Sequence, residues 1–253
     1  LLWLVAIGFF METLDSTIVN TALSTMAADL GVSPFSMQFV VIGYALTLAV
    51  LIPASGWLTD RFGTRRVYLG AIIIFTLSSL LCAVAPNLSF LIFARILQGI
   101  GGSMLLPVGR LAVLRAFPGN QYLPALSFVT MPALIGPLIG PTLGGWIVEH
   151  WSWHWIFLIN LPIGIVGTYA TYKAMPQDDF VVKRQFDLLG FVQLGLFMVC
   201  ISVAFDAISG GHISQGVILF LFVFVKKHCF VCSVHHIRHF IGFSVGSIFY
   251  SLN

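Results

Sequence analysis

Three ionisable residues stand inside runs of sequence that are otherwise apolar: Glu12, Asp15 and Arg95. A charged group in hydrocarbon is expensive, so such residues are functional candidates by default. Glu12 and Asp15 are three apart and share one face of a helix. An acid on one helix facing an arginine on another can hold a proton and release it across a bundle. The alternative is a static buried ion pair that sets helix register. A static pair needs one acid, and two are present. No Ser/His/Asp set, nucleotide loop or credible metal site accompanies them, so enzymatic chemistry has little support.

A second group lies in GWLTDRFGTRR, Gly56 to Arg66. Gly56 lets a helix end and pack closely. Asp60 can cap the turn or pair with Arg61 or Arg65. Gly63 permits a tight reversal. Basic residues alone would anchor such a link; the acid and the spaced glycines are additional. A third group is MPALIGPLIGPTLGG, Met131 to Gly145. Gly136, Gly140 and Gly144 recur every four residues and make a bare face that lets two membrane helices approach. Pro132, Pro137 and Pro141 remove backbone donors and can bend the helix. This stretch reads equally as a moving element and as a packing face.

These groups need a scaffold, and the composition names one. Of 253 residues, 58% are hydrophobic and only 8% charged, against roughly a quarter charged in soluble domains. The expected fold class is an all-α polytopic membrane protein. Apolar runs of the right length fall near 2–23, 38–58, 67–85, 89–109, 124–147, 155–175 and 188–207, and an eighth begins near Gly216. Arg61, Arg65 and Arg66 lie in the second link, Arg110 and Arg115 in the fourth, and Lys173, Lys183 and Arg184 in or beside the sixth; Lys226 and Lys227 follow the eighth run. The first, third, fifth and seventh links carry no Lys or Arg. That alternation follows the positive-inside rule and puts the N-terminus in the cytoplasm. Net charge of +3 gives no reason to expect nucleic acid. Cys82 and Cys200 sit in apolar runs and read as small hydrophobes. Trp151, Trp153 and Trp155 read as interface anchors, with Asn160 and Pro162 deeper.

The alternation stops at Lys226. His228, His235, His236 and His239, with Cys229 and Cys232, crowd into the tail. Zinc ligation would need a loop between Cys232 and His235 that two residues do not supply. A shifted reading frame explains the change in composition, and an unusual authentic ending is the other reading. The chain opens at Leu1 within an apolar run, which reads as a fragment lacking a short leading tail.

The motifs also resemble a known family. GWLTDRFGTRR is similar to the loop signature of the major facilitator superfamily, with Gly56, Asp60, Arg61, Gly63 and Arg65 on signature positions and Thr64 in place of a basic residue. LIFARILQGIGGSM resembles its fourth-helix signature, through Arg95, Gln98, Gly99 and Gly101. GPLIGPTLGG, with Gly136, Pro137, Gly140, Pro141, Gly144 and Gly145, resembles the fifth-helix signature of its antiporters. LDSTIVNTAL resembles the first-helix signature of the EmrB/QacA-type drug:proton antiporters, through Leu14, Asp15, Thr17, Asn20, Ala22 and Leu23, with Ser24 where the family has Pro. WHWIFLINLPIG, with His154 in place of Arg, and FDLLG (Phe186 to Gly190) look like the same branch.

The resemblance implies a fourteen-helix transporter of two six-helix halves with a helix pair between. This chain would supply the N-terminal half in 1–175, the cytoplasmic link and an incomplete helix pair in 176–225, and an atypical tail in 226–253. It implies proton-coupled export of amphipathic drugs or other small molecules across the cytoplasmic (inner) membrane by alternating access. Asp15, Glu12 and Arg95 would handle protons. The Gly56–Arg66 loop would be half of a cytoplasmic gate. No cofactor is implied beyond the proton gradient, and no metal. The partners are a small amphipathic substrate, protons and the bilayer, with the C-terminal half or another chain. The competing expectation is a silent remnant, or a membrane module acting only by association.

Overall fold

The structure, a computed structural model, describes residues 1–176 and 186–210, with side chains described through Val199. Among the described residues every regular element is a helix: α1 (Leu2–Asp29), α2 (Gln38–Leu51), α3 (Ser55–Phe62), α4 (Thr64–Ala83), α5 (Leu88–Ala116), α6 (Tyr122–His150), α7 (His154–Leu158), α8 (Asn160–Ala174) and α9 (Leu188–Gly210). The chain is an all-α polytopic membrane protein. Among the described residues, six stretches are long and apolar enough to cross a bilayer: Leu2–Asp29, Gln38–Phe62, Thr64–Ala83, Leu88–Ala116, Gly119–His150 and His154–Ala174.

Several helices outrun their apolar sequences. The first continues to Asp29 and the second, through a single 3₁₀ turn at Ile52–Ala54, to Phe62. Arg110 and Arg115, expected in a link, are on the last turns of α5. The hydropathy pattern marks the hydrocarbon core, whereas the hydrogen-bonded ladder continues through the polar interface until a residue stops it. At the second link that residue is Gly63, whose φ of 83° suits glycine and few others. Gly56, expected to end the helix, instead lies within α3 facing open space. At the start of α5, Asn87 accepts a bond from the Phe90 N–H at 2.9 Å, a side-chain N-cap. The α7–α8 break falls before Pro162, which has no N–H to offer the Leu158 carbonyl.

The chain divides into two compact units, Leu1–Arg184 and Gln185–Asn253. In the first, α1 and α5 form the centre: 61% of each apolar window is buried, against 17% for the Gln38–Phe62 span. Close approach is made by small residues. Gly136, Gly140 and Gly144 of α6 lie against Thr13, Thr17 and Thr21 of α1. Each threonine hydroxyl donates to a carbonyl of its own helix, so the seam leaves no donor unpaired. Gly101 of α5 rests on α4, where an added Cβ would lie 2.6 Å from the Phe75 backbone nitrogen. In the second unit, Asp187 accepts from the Gly190 N–H at 2.9 Å and caps α9, while the Phe186 and Phe191 rings lie 5.3 Å apart. Cys200, the run near Gly216 and the tail, with its zinc and reading-frame readings, lie outside the described side chains.

Candidate functional site

Four helices each bring polar side chains to one point in the first unit: Asp15 from α1, Ser79 from α4, Arg95 and Gln98 from α5, and Asn160 from the first turn of α8. All five are buried to 1% exposure or less. Arg95 Nη1 donates to Asp15 Oδ2 at 2.6 Å and to Gln98 Oε1 at 2.7 Å. Asp15 Oδ1 accepts from Gln98 Nε2 and from Asn160 Nδ2, each at 2.9 Å. Both amides also donate to Ser79 Oγ at 3.0 Å. Cys82 Sγ sits 3.7 Å from Gln98 Oε1.

The remaining walls are aromatic. The Arg95 guanidinium carbon lies 4.2 Å from the Tyr44 ring centroid and 5.7 Å from that of Phe157. Three buried polar atoms here have no hydrogen-bond partner: Arg95 Nε, the Tyr44 hydroxyl and Asn160 Oδ1. The cage therefore combines an ion pair with unmet hydrogen-bonding capacity, an arrangement able to change state.

Glu12 is buried at 6% exposure one turn from Asp15, yet among the described residues it makes no hydrogen bond or ion pair. Of the two acids on this face of α1, Arg95 thus pairs with Asp15. The structure brings Asp15, Arg95 and Gln98 together, and Gly99 follows on the same helix, where an added Cβ would meet Thr47 of α2 at 2.8 Å.

The Gly56–Arg66 stretch lies elsewhere, at the end of the first unit that carries the cationic links. Asp60 does not pair with Arg61 or Arg65: its Oδ1 is 3.7 Å from Arg115 Nη2, both residues about one-third exposed. Arg115 Nη1 also donates to Thr64 Oγ1 at 2.6 Å. Arg65 donates to the Tyr172 carbonyl in the last turn of α8 and lies over that ring at 5.3 Å. Arg61 lies over Trp57 at 5.4 Å. In α6, Gly136, Gly140 and Gly144 face α1, whereas Pro137, Pro141 and Gly145 are on the exposed side.

A sequence profile described as the Major Facilitator Superfamily matches residues 5–251. The chain belongs to the major facilitator superfamily. The profile continues into the tail where the charge alternation stops. A relative from Yersinia enterocolitica, named provisionally as multidrug resistance protein MdtD, is 56% identical over 209 residues, covering 83% of this chain and 44% of its own length. The same-named protein of Yersinia pestis is 54% identical over 215 residues, covering 85% of this chain and 45% of its own. This chain therefore spans less than half the length of these relatives. Among solved structures, the proton:xylose symporter XylE bound to 6-bromo-6-deoxy-D-glucose aligns with a TM-score of 0.60 at 15% identity, over 70% of this chain and 44% of that one. A D-xylose-proton symporter crystal structure gives 0.59 over 70% and 48%. At such identity these two show the fold.

Within this superfamily member, the sequence left three cage residues without a role: Tyr44, Ser79 and Asn160. Asn160 was detectable as a strongly polar residue in the apolar run WIFLINLPIG, and its amide is what joins α8 to the cage. Ser79, in TLSSLLC, and Tyr44, in IGYALT, carry no comparable signal, because serine and tyrosine are common in membrane spans. Trp153 also departs from expectation. It is 2% exposed and donates from Nε1 to Asp29 Oδ2 at 2.8 Å, tying the end of α1 to the link before α7. Trp151 and Trp155 remain exposed, with rings 4.9 Å apart.

Proposed function

We propose that this chain serves proton-coupled export of amphipathic drugs or other small molecules across the cytoplasmic membrane, by alternating access, with its N-terminus in the cytoplasm. The observation that carries the reading is the Asp15–Arg95 pair, buried between spans and held by two amides that also donate to the Ser79 hydroxyl. Proton arrival at Asp15 removes its negative charge and leaves Arg95 uncompensated, which favours a rearrangement of the helices that hold them. Glu12, unpaired beside them, is the second proton-handling group. The multidrug-resistance naming of the relatives supports the substrate class.

On this reading residues 1–175 act as a six-helix half, 176–225 as a link and inserted helix pair, and 226–253 as a separate tail. Gly56, Asp60, Arg61, Gly63 and Arg65 form one side of a cytoplasmic gate. Gly136, Pro137, Gly140, Pro141, Gly144 and Gly145 support the antiport motion, and Gln98 and Gly99 support Arg95. Alternating access needs a facing half. The test is co-reconstitution in liposomes with the C-terminal half of a relative and a pH-sensitive dye inside. An amphipathic cation should drive proton movement, and Asp15→Asn should abolish it. Unchanged flux in that variant defeats the proposal.

The alternative reading is a membrane module that acts by association, or a silent remnant. Absence of flux with every facing half tried, despite a folded chain in the bilayer, would favour it.

A further inference from the structure

We propose that the Asn160 side-chain amide is a positioning residue that reads the protonation state of Asp15 and passes it to α8. The inference rests on the reading of Asp15 as the proton carrier. An ionised carboxylate only accepts hydrogen bonds. It therefore holds the amide with Nδ2 toward Asp15 Oδ1 and Ser79 Oγ, and this leaves Asn160 Oδ1 buried without a donor. A buried carbonyl with no donor is costly, so the amide is kept in an orientation it would otherwise leave.

When a proton joins Asp15 Oδ1, that atom becomes a donor. A half-turn of the Asn160 amide then lets its Oδ1 accept from the new O–H. One proton is added and no other covalent bond is made or broken; the turn gives the orphan Oδ1 a partner, gives up the Nδ2 bond to Ser79 Oγ and brings Nδ2 to where Oδ1 stood. Gln98 also faces Asp15 Oδ1, but its own oxygen is engaged by Arg95 Nη1 at 2.7 Å and Cys82 Sγ at 3.7 Å. Turning that amide would break those contacts. Of the two amides on the carboxylate, Asn160 is the one whose oxygen is unengaged, so its turn breaks only the Nδ2 bonds to Asp15 and Ser79.

Its place on the chain gives the turn a consequence. Asn160 is the first residue of α8, directly after the α7–α8 break, and Gly164 one turn on packs against Thr76 of α4. The amide thus acts at a joint whose far side is already wedged. The ionisable groups facing the cage are Glu12 on α1, Tyr44 on α2, Cys82 on α4 and Arg95 on α5. Helix α6 carries its ionisable residues, Tyr122, Glu149 and His150, only at its ends, and those of α7 and α8 are His154, Tyr169, Tyr172 and Lys173, remote from the cage in sequence.

The test uses the chain in lipid nanodiscs with ¹⁵N-labelled asparagine. The Asn160 side-chain signal is assigned by its loss in Asn160→Ser, and Asp15 protonation is followed by the infrared carboxyl band of labelled aspartate. The Asn160 signal should convert fully between two positions, with the same pH midpoint as the Asp15 band. In Asp15→Asn it should show one pH-independent position. If Asp15 takes up a proton and the Asn160 signal does not move, the inference fails while the proton reading stands. If the Asn160 signal still titrates in Asp15→Asn, the inference also fails. If the Asp15 carboxyl band never appears from acid to alkaline pH, the proton reading fails and takes the inference with it. Should Asp15→Asn not fold, the coincidence of midpoints in the unaltered chain decides.

Discussion

Replacing Gly136 by alanine tests whether the α1–α6 seam is as tight as its geometry requires. An added Cβ would lie 2.9 Å from the Leu14 backbone nitrogen and 2.5 Å from Thr13 Oγ1. Ordinary contact begins at 3.4 Å, so the first neighbour is 0.5 Å too close (3.4 less 2.9), and it is backbone that no rotamer change can move. Nor can Thr13 turn away without cost, because its hydroxyl is bonded to the Phe9 carbonyl at 2.9 Å. The helices must separate, at about 1–3 kcal/mol for overpacking of this kind. For a unit of this size that lowers the melting midpoint by about 2–12 °C. The control is Gly145→Ala on the same helix, where nothing lies within 4 Å. It should leave the midpoint unchanged or slightly raised, since alanine is the better helix former. The assay is helical circular dichroism during heating of both variants in one detergent. Equal midpoints for the two, or a Gly136→Ala protein as stable as the parent, would refute the seam.

Arg95→Met leaves Asp15 buried without its cation and should cost about 3–5 kcal/mol, with Arg95→Met/Asp15→Asn recovering much of it; denaturation of the three proteins checks this. Asp60→Asn should change stability by less than about 1 kcal/mol, because the Arg115 pair is long and about one-third exposed, and a melting shift as large as that of Arg95→Met would contradict it. Arg65→Ala removes the group on the Tyr172 carbonyl, so amide exchange should rise in the last turn of α8 and not in α4. Trp153→Phe loses the bond to the Asp29 carboxylate and should cost about 1.5–3 kcal/mol, read as a lowered unfolding midpoint.

Much of this architecture was legible because a membrane imposes a simple code. The first six apolar runs match the six spans among the described residues, and the four-residue glycine spacing marks the face that α6 turns to α1. Asp15 and Arg95 were legible because a charge in a span has few reasons to exist. Helix ends were less so, since the ladder outlasts the hydropathy and stops at a particular residue such as Gly63. Pairings that join distant parts were not legible at all. Arg115 reaches Asp60 and Thr64, and Arg65 reaches Tyr172, because α5 and α8 end beside the second link, which no local pattern reveals. Trp153 illustrates the same limit. Its neighbours Trp151 and Trp155 face outward, and only the tertiary position of Asp29 turns Trp153 inward.

The glycine–threonine seam between α1 and α6 also behaves as a notched rail. Each glycine of the series 136, 140, 144 seats one threonine of the series 13, 17, 21. Small axial slips lift a threonine hydroxyl out of its notch and are resisted. A slip of four residues, about 6 Å at the usual rise, seats two of the three pairs again. The helix that carries Asp15 is thereby limited, relative to α6, to positions spaced by a helical turn. Spin labels on the two helices should report discrete distances separated by about that step, and a broad continuous distribution would show that the rail has no notches.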